Sequence, residues 1–289
     1  AVQGTPCHHC LIAVSRPPPS SSPMGSGASA GVAEGMKAMT DAEMKDLVAS
    51  FDAATLEKLQ KALDGTAKKA GKVLIVTTSA DKMGEHATGA WSEEITGPYY
   101  IFLDKGLEVK VCSVAGGDIP IDAGSLSDTF KTENDKRMME ADNGPLKGTS
   151  KLADEDVTQF DIVFFSGGHG TCVDFPTEEV GAAVSKAAAA GKVVASVCHG
   201  PMAFVSAKGA DGEPFVKGKK ITCFSDVEEG QVGLTEKVPF LLEAKLKELG
   251  AEVSVGDPWG SKAVIDGKLV TGQNPQSSVE AAKACLTLL

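Results

Sequence analysis

The sequence predicts an α/β fold, a doubly wound and mainly parallel sheet with a nucleophile elbow. Three observations lead there. From Lys72 onward, short β-branched runs alternate with helical patterns. The runs are apolar throughout rather than alternating, as strands covered on both faces are. One of them, Val193-Val194-Ala195-Ser196-Val197, leads straight into Cys198-His199-Gly200-Pro201. The expected strands are residues 73–78, 108–114, 161–166, 193–198, 220–224 and 252–255. Helical patterns fall near 92–106, 177–191, 201–208 and 235–249. The last opens at Thr235 and stops at Gly250, a residue suited to ending a helix. Residues 263–265 and 268–271, joined across Asp266-Gly267, read as a hairpin. A final helix covers about 278–288.

The 289 residues, 42% hydrophobic and 23% charged, are enough for a sizeable core. A formal net charge of −11 argues against a nucleic-acid partner, because phosphate binding needs clustered Lys and Arg. No apolar run approaches the roughly 20 residues that cross a bilayer, so no membrane association is expected. The seven cysteines are odd in number and scattered, which fits a reducing compartment, the cytoplasm, better than a disulfide framework. The five histidines end at His199.

Residues 1–36 are rich in Ser, Pro, Gly and Ala, and Pro17-Pro18-Pro19 bars regular structure. They read as a disordered tail or as an organelle-targeting segment, and the scarcity of Arg favours the tail. Met24-Gly25 would suit myristoylation only if translation began at Met24. Cys7-His8-His9-Cys10 lacks the further converging ligands that a stable zinc site needs. Residues 37–70 read as a helical hairpin extension. Thr40-Asp41-Ala42-Glu43 resembles a capping box, and Met44, Leu47, Val48 and Phe51 share one helix face. Asp52 or Thr55 caps a second helix with Leu56, Leu59 and Leu63 inward. The main domain is residues 71–289.

In open parallel sheets, ligands sit at the carboxyl ends of strands. Cys198 lies at such an end, with the small residues Ser196 and Gly200 two positions to either side, the pattern of a strand-to-helix elbow. A helix N-terminus there favours thiolate, and the His199 N–H points where an oxyanion would form. Ser166-Gly167-Gly168-His169-Gly170 follows another strand, and the Gly168 N–H is the candidate second oxyanion donor. Its spacing fits neither a dinucleotide fingerprint nor a P-loop. Asp174 fixes this loop rather than reacting. Glu93-Glu94 open a helix near the same edge. Asp226, Glu228 and Glu229 follow the run 220–224. For both acidic groups a solvated surface is the ordinary reading.

From about Lys72 to its end the chain resembles the PfpI-like superfamily of class I glutamine-amidotransferase-like domains. It is most similar to the branch of glutathione-independent glyoxalase III enzymes and heat-shock holding chaperones. The carrying motifs are Ser166–Gly170, Ala195-Ser196-Val197-Cys198-His199-Gly200-Pro201, Phe224-Ser225-Asp226-Val227-Glu228-Glu229 and Leu269-Val270-Thr271-Gly272-Gln273-Asn274-Pro275. The resemblance implies a flavodoxin-like doubly wound sheet and a homodimer. It implies Cys198 as nucleophile, His199 paired with Glu229, and Glu94 against the thiolate, with Glu93 one register away. Gly168 and His169 are the expected oxyanion and substrate-binding residues. Trp91 stands where some relatives need a histidine ligand, so no metal is expected, and the implied reaction, an internal redox shift plus hydration, needs no cofactor.

The implied activity is conversion of methylglyoxal-type 2-oxoaldehydes to lactate through a cysteine hemithioacetal, a lyase reaction of the D-lactate dehydratase class. Glu94 or His199 would move the proton between the carbons. A shuttling glutamate beside a thiolate should have a raised pKa. The thiolate is also open to oxidation, so stress sensing is compatible. The rival readings are a holding chaperone, a protein deglycase and a cysteine peptidase. A glutamine amidotransferase triad needs a distant downstream histidine, and none follows His199.

Overall fold

In the computed structural model, residues 71–289 are described, together with Thr40, Asp52 and Thr55. The expected tail (1–36) and hairpin extension (37–70) otherwise lie outside the described residues. Asp52 Oδ1 accepts the Thr55 N–H at 2.7 Å, the capping contact foreseen for Asp52.

The apolar runs form a seven-stranded sheet. Its strands are β1 (Lys72–Thr77), β4 (Glu108–Ser113), β5 (Ser150–Lys151), β6 (Ile162–Phe165), β7 (Val193–Val197), β10 (Ala263–Asp266) and β11 (Leu269–Gly272). The order is β10-β11-β7-β6-β1-β4-β5. Only the β10–β11 pair is antiparallel, turning through Gly267 at φ +59°. Two short pairs stand apart: β2 (Lys82–Met83) with β3 (His86–Ala87), and β8 (Lys220–Ile221) with β9 (Glu252–Val253).

Alternation within the strands divides the core in two. Leu74, Val76, Val163, Phe165 and Val194 enter one apolar cluster. Val73, Ile75, Ile162, Phe164, Val193, Ala195 and Val197 enter the other. The helices α1 (Ser92–Asp104), α2 (Glu133–Glu140), α3 (Thr171–Asp174), α4 (Glu178–Ala189), α5 (Asp226–Val232), α6 (Leu242–Glu248) and α7 (Ser278–Leu286) complete the fold. α1 and α7 pack together over the second cluster, and α4 covers the first. The sheet is therefore doubly wound. β6 returns to the far side of β1 from β4, which puts the topological switch between β1 and β6 and the ligand edge at their carboxyl ends.

Several expected boundaries are corrected. The helix foreseen over 235–249 begins at Leu242, because Pro239 lies inside that span and cannot donate to a helical ladder. The pattern at 201–208 is a five-residue 3-10 helix, Gly200–Phe204. The runs 220–224 and 252–255 form only two-residue strands outside the main sheet. The first stops because the Thr222 N–H goes to Thr271 Oγ1 (2.8 Å) and the Phe224 N–H to the Cys198 carbonyl (2.9 Å). The acidic stretch at 226–229 is not a solvated loop but the first turn of α5, with Glu228 and Glu229 buried. Sequence reading also passed over α2, although Thr132 and Asp135 form the reciprocal cap that announces it. Among the described residues all five cysteines are free thiols. No helix among them is long and apolar enough to cross a membrane.

Candidate active site

β7 delivers Cys198 at φ +59°, a left-handed conformation unusual for a residue with a side chain. The turn is tight. A Cβ on Gly200 would run into the Phe165 carbonyl oxygen, so the small residue foreseen two places after the cysteine is a steric requirement. Gly200→Ala is expected to cost about 1–3 kcal/mol in urea unfolding, the usual penalty of overpacking. A loss below about 0.5 kcal/mol would show that the strand ends can separate freely.

The sulfur sits among four groups. His199 Nδ1 lies 3.4 Å from Cys198 Sγ. The backbone N–H groups of Gly168 and His199 both point at the sulfur. The fourth neighbour is the carboxyl of Glu94. Gly168 reaches this position at φ +95°, and a Cβ there would collide with the backbone of Trp91. The two oxyanion donors expected from sequence are thus brought together.

Glu94 lies in the first turn of α1 and is 0% exposed. Its Oε2 accepts the Gly167 N–H at 2.8 Å, while Oε1 has no nitrogen or oxygen partner. Burial holds its pKa well above the usual carboxylate range, against the opposing hydrogen bonds from Cys198 and Gly167. Burial, then the Glu94 charge, also push the Cys198 thiol up. A hydrogen bond joins the sulfur and the carboxyl. The helix after Cys198 is a single short 3-10 segment, and burial, which raises the thiol pKa, opposes the Gly168 and His199 N–H groups, which lower it. Glu93, the alternative register, is only partly buried. Burial and the nearby Asp135 charge raise its pKa to about 7, and it does not meet the sulfur.

Behind Cys198 stands a relay. His199 Nε2 lies 2.7 Å from Glu229 Oε2, and His169 Nε2 lies 3.0 Å from Glu229 Oε1. Burial would raise the Glu229 pKa, but the two imidazole hydrogen bonds dominate and hold it at about 2. Glu229 is therefore an ionised acceptor, and both Nε2 atoms must carry the hydrogen. That assigns the lone pair of neutral His199 to Nδ1, facing the cysteine. Burial and the neighbouring His169 lower the His199 pKa to about 4.

His169 was expected to bind substrate. Its ring lies 4.2 Å from that of His199 and its Nε2 is engaged by Glu229, so it also braces the relay. Phe224 covers His199 at 4.6 Å. Asp174 accepts Thr78 Oγ1–H (2.9 Å) and the Ser79 N–H (2.7 Å), which ties the segment after the glycine-rich turn to the loop after β1. Among the described residues, one group could offer metal ligands, His169, His199 and Glu229, with atoms within 4.8 Å of one another. Each imidazole Nε2 in it is already satisfied by Glu229.

Two features escaped sequence reading. One is the Gly167 N–H that holds Glu94. The other is Glu228, whose carboxylate gathers five donors. Ser225-Asp226-Val227-Glu228 is a capping box, a signal that could have revealed α5 and its inward-facing Glu229.

The chain is similar to known proteins in family profile, sequence and structure. A profile of the DJ-1/PfpI family matches residues 86–288. Glyoxalase 3 of Candida albicans is 35% identical over 226 residues, covering 73% of this chain and 95% of that protein. A glutathione-independent glyoxalase of Saccharomyces cerevisiae is 34% identical over 226 residues, covering 73% and 94%. The solved structure of the 24 kDa rapid encystment protein of Francisella tularensis is 38% identical with a TM-score of 0.72, covering 76% of this chain and 99% of that one. The structure of glyoxalase III from Candida albicans is 32% identical with a TM-score of 0.70, covering 76% and 97%. With a family profile across most of its length and relatives matched almost end to end, the chain belongs to the DJ-1/PfpI family.

Proposed function

We propose that this protein is a glutathione-independent glyoxalase that converts methylglyoxal-type 2-oxoaldehydes to 2-hydroxy acids, lactate from methylglyoxal. The observation that carries the reading is the Cys198 sulfur enclosed by Glu94, His199 Nδ1 and two backbone N–H groups. The two named glyoxalase relatives support it. In this reading the protein is a cofactor-independent lyase of the D-lactate dehydratase class, working as a homodimer in the cytoplasm.

Cys198 is the nucleophile. The proton shared with Glu94 rests on the carboxyl as the sulfur attacks the aldehyde carbon, and a C–S bond forms. The Gly168 and His199 N–H groups receive the developing oxyanion. Glu94 protonates that oxygen, which gives the hemithioacetal and leaves a carboxylate. The sulfur is now bonded to carbon and carries no charge, so the anion that opposed Glu94 ionisation has gone. Glu94 removes the hydrogen on the former aldehyde carbon as a proton, leaving an enediolate whose hydroxyl proton passes from the first oxygen to the second. It returns a proton to the second carbon, forming the lactoyl thioester. His199, backed by ionised Glu229, takes a proton from the water that hydrolyses the thioester. The sum is oxoaldehyde plus water to hydroxy acid, with no external oxidant or reductant.

This chemistry requires neutral His199. With its pKa near 4, kcat/KM should hold from about pH 8 to pH 5 and fall as pH drops through 4. The same shift has a stability consequence. The folded pKa lies below the ordinary 6.5, so the unfolded chain binds the proton first and stability declines as pH falls from 6.5 towards 4. A pH-rate profile whose acid limb sits near 6.5 would contradict the role given to His199.

A further inference from the structure

α1 begins without the usual anchors. Its N-cap, Trp91, makes no side-chain hydrogen bond to the first turn, and Pro98 has no N–H to return to the Glu94 carbonyl. The turn that carries Glu93 and Glu94 is held from the side instead. Asp135, the third residue of α2, is fully buried, and its Oδ1 takes both hydroxyls of that turn. It accepts Ser92 Oγ–H at 2.5 Å and Thr96 Oγ1–H at 2.7 Å. Its Oδ2 accepts the Thr132 N–H and the Thr132 Oγ1–H, each at 2.7 Å. One carboxylate thus caps α2 and anchors the start of α1. At the far end of α1, Arg137 of α2 donates to both oxygens of Asp104, at 2.8 and 2.9 Å. α2 therefore grips α1 at both ends.

Helical geometry gives the buried anchor a direction. Successive residues turn by about 100°, so Ser92 and Thr96 lie about 40° apart on one face. Glu94 stands about 180° from the middle of that face, and Glu93 about 80° from it. Fixing the two hydroxyls against α2 turns Glu94 to the opposite side, where the Gly167 N–H (2.8 Å) and the Cys198 thiol meet it. Rotation of the turn by one residue would exchange Glu94 for Glu93.

We propose that Asp135 is a positioning residue for the proton shuttle: through Ser92 and Thr96 it sets the rotation of α1 that puts Glu94, and not Glu93, on the Cys198 sulfur. The shuttle itself rests on the glyoxalase reading, whereas the rotation does not.

The kinetic test uses Ser92→Ala/Thr96→Val, which removes both hydroxyls and leaves Asp135 capping α2. Its kcat for methylglyoxal should fall about 10–100-fold, the cost of misplacing a reacting group by about 1 Å, with KM changed by no more than about twofold. Thr96→Ser keeps both hydroxyls and should hold kcat within about twofold. Thr96→Val alone, the milder change should the double variant fold poorly, should lose about threefold in kcat at constant KM. Unchanged kcat, kcat and KM moving together, or a Thr96→Ser loss equal to that of Thr96→Val would overturn the proposal. A spectroscopic test is independent of turnover. The Gly167 amide proton, bonded to Glu94 Oε2, should move upfield in the double variant as it does in Glu94→Ala. Adding the double change to Glu94→Ala should move it no further. That pattern would sustain the positioning even if the wild type makes no lactate. A Gly167 amide that stays in place in the folded double variant, or moves again in the Glu94→Ala background, would refute it.

Discussion

Cys198→Ala is expected to lower lactate formation from methylglyoxal at least about 10³-fold, because no other group near the site can form the thioester. The folded protein should survive the change. Cys198 reaches its position at φ +59°, strain that is intelligible as the cost of presenting a nucleophile at the strand end. Cys198→Gly accepts that conformation freely, so it should be equally inactive yet more stable than Cys198→Ala by about 1 kcal/mol in urea unfolding. A Cys198→Ala protein that keeps activity would remove the nucleophile from the proposal. Suppression of client aggregation that is undiminished in the inactive variant would show that a holding-chaperone role is separable from the thiol.

Glu94→Gln should fall about 10²–10⁴-fold in kcat, the usual worth of a positioned proton shuttle. Its stability should move the other way. The folded pKa of Glu94 is raised, so its contribution to stability is complete below about pH 4.5 and is lost as pH rises towards the folded value. At neutral pH the wild type bears that burden and the neutral amide does not. Glu94→Gln should therefore melt higher than the wild type at pH 7.5, by about 2–4 °C for each kcal/mol relieved. The gap should close as pH approaches 4.5. A melting temperature that drops equally at both pH values would mean that Glu94 serves mainly as a packing residue.

The sheet was legible because its strands are continuous Val, Ile and Phe runs, a composition imposed by burial on both faces. The elbow was legible because steric limits at Gly200 leave a trace in residue size. Side-chain direction left a weaker trace. Glu93 and Glu94 are neighbours about 100° apart on a helix, and only the packing of α1 against β1, β4, α2 and α7 determines which one reaches the sulfur. The pairing of Glu229 with His199 was expected from the resemblance, but its helix α5 was not, although the Ser225–Glu228 cap was present in the sequence. Pro239 likewise announced the late start of α6, and the amphipathic pattern around it concealed that signal. The early end of the strand at 220 follows from long-range partners, the Thr271 side chain and the Cys198 carbonyl, that no local pattern encodes.

The central claim, that Cys198 and Glu94 isomerise a 2-oxoaldehyde without a thiol cofactor, is tested most directly in deuterium oxide. Reduced wild-type protein would be incubated with methylglyoxal in the absence of glutathione, and the product read by proton NMR. Lactate should accumulate with deuterium at C2, because a proton passing through Glu94 and an enediol can exchange with solvent. Lactate that retains the substrate hydrogen in full would contradict the Glu94 shuttle, and no lactate from folded, reduced protein would contradict the glyoxalase function itself.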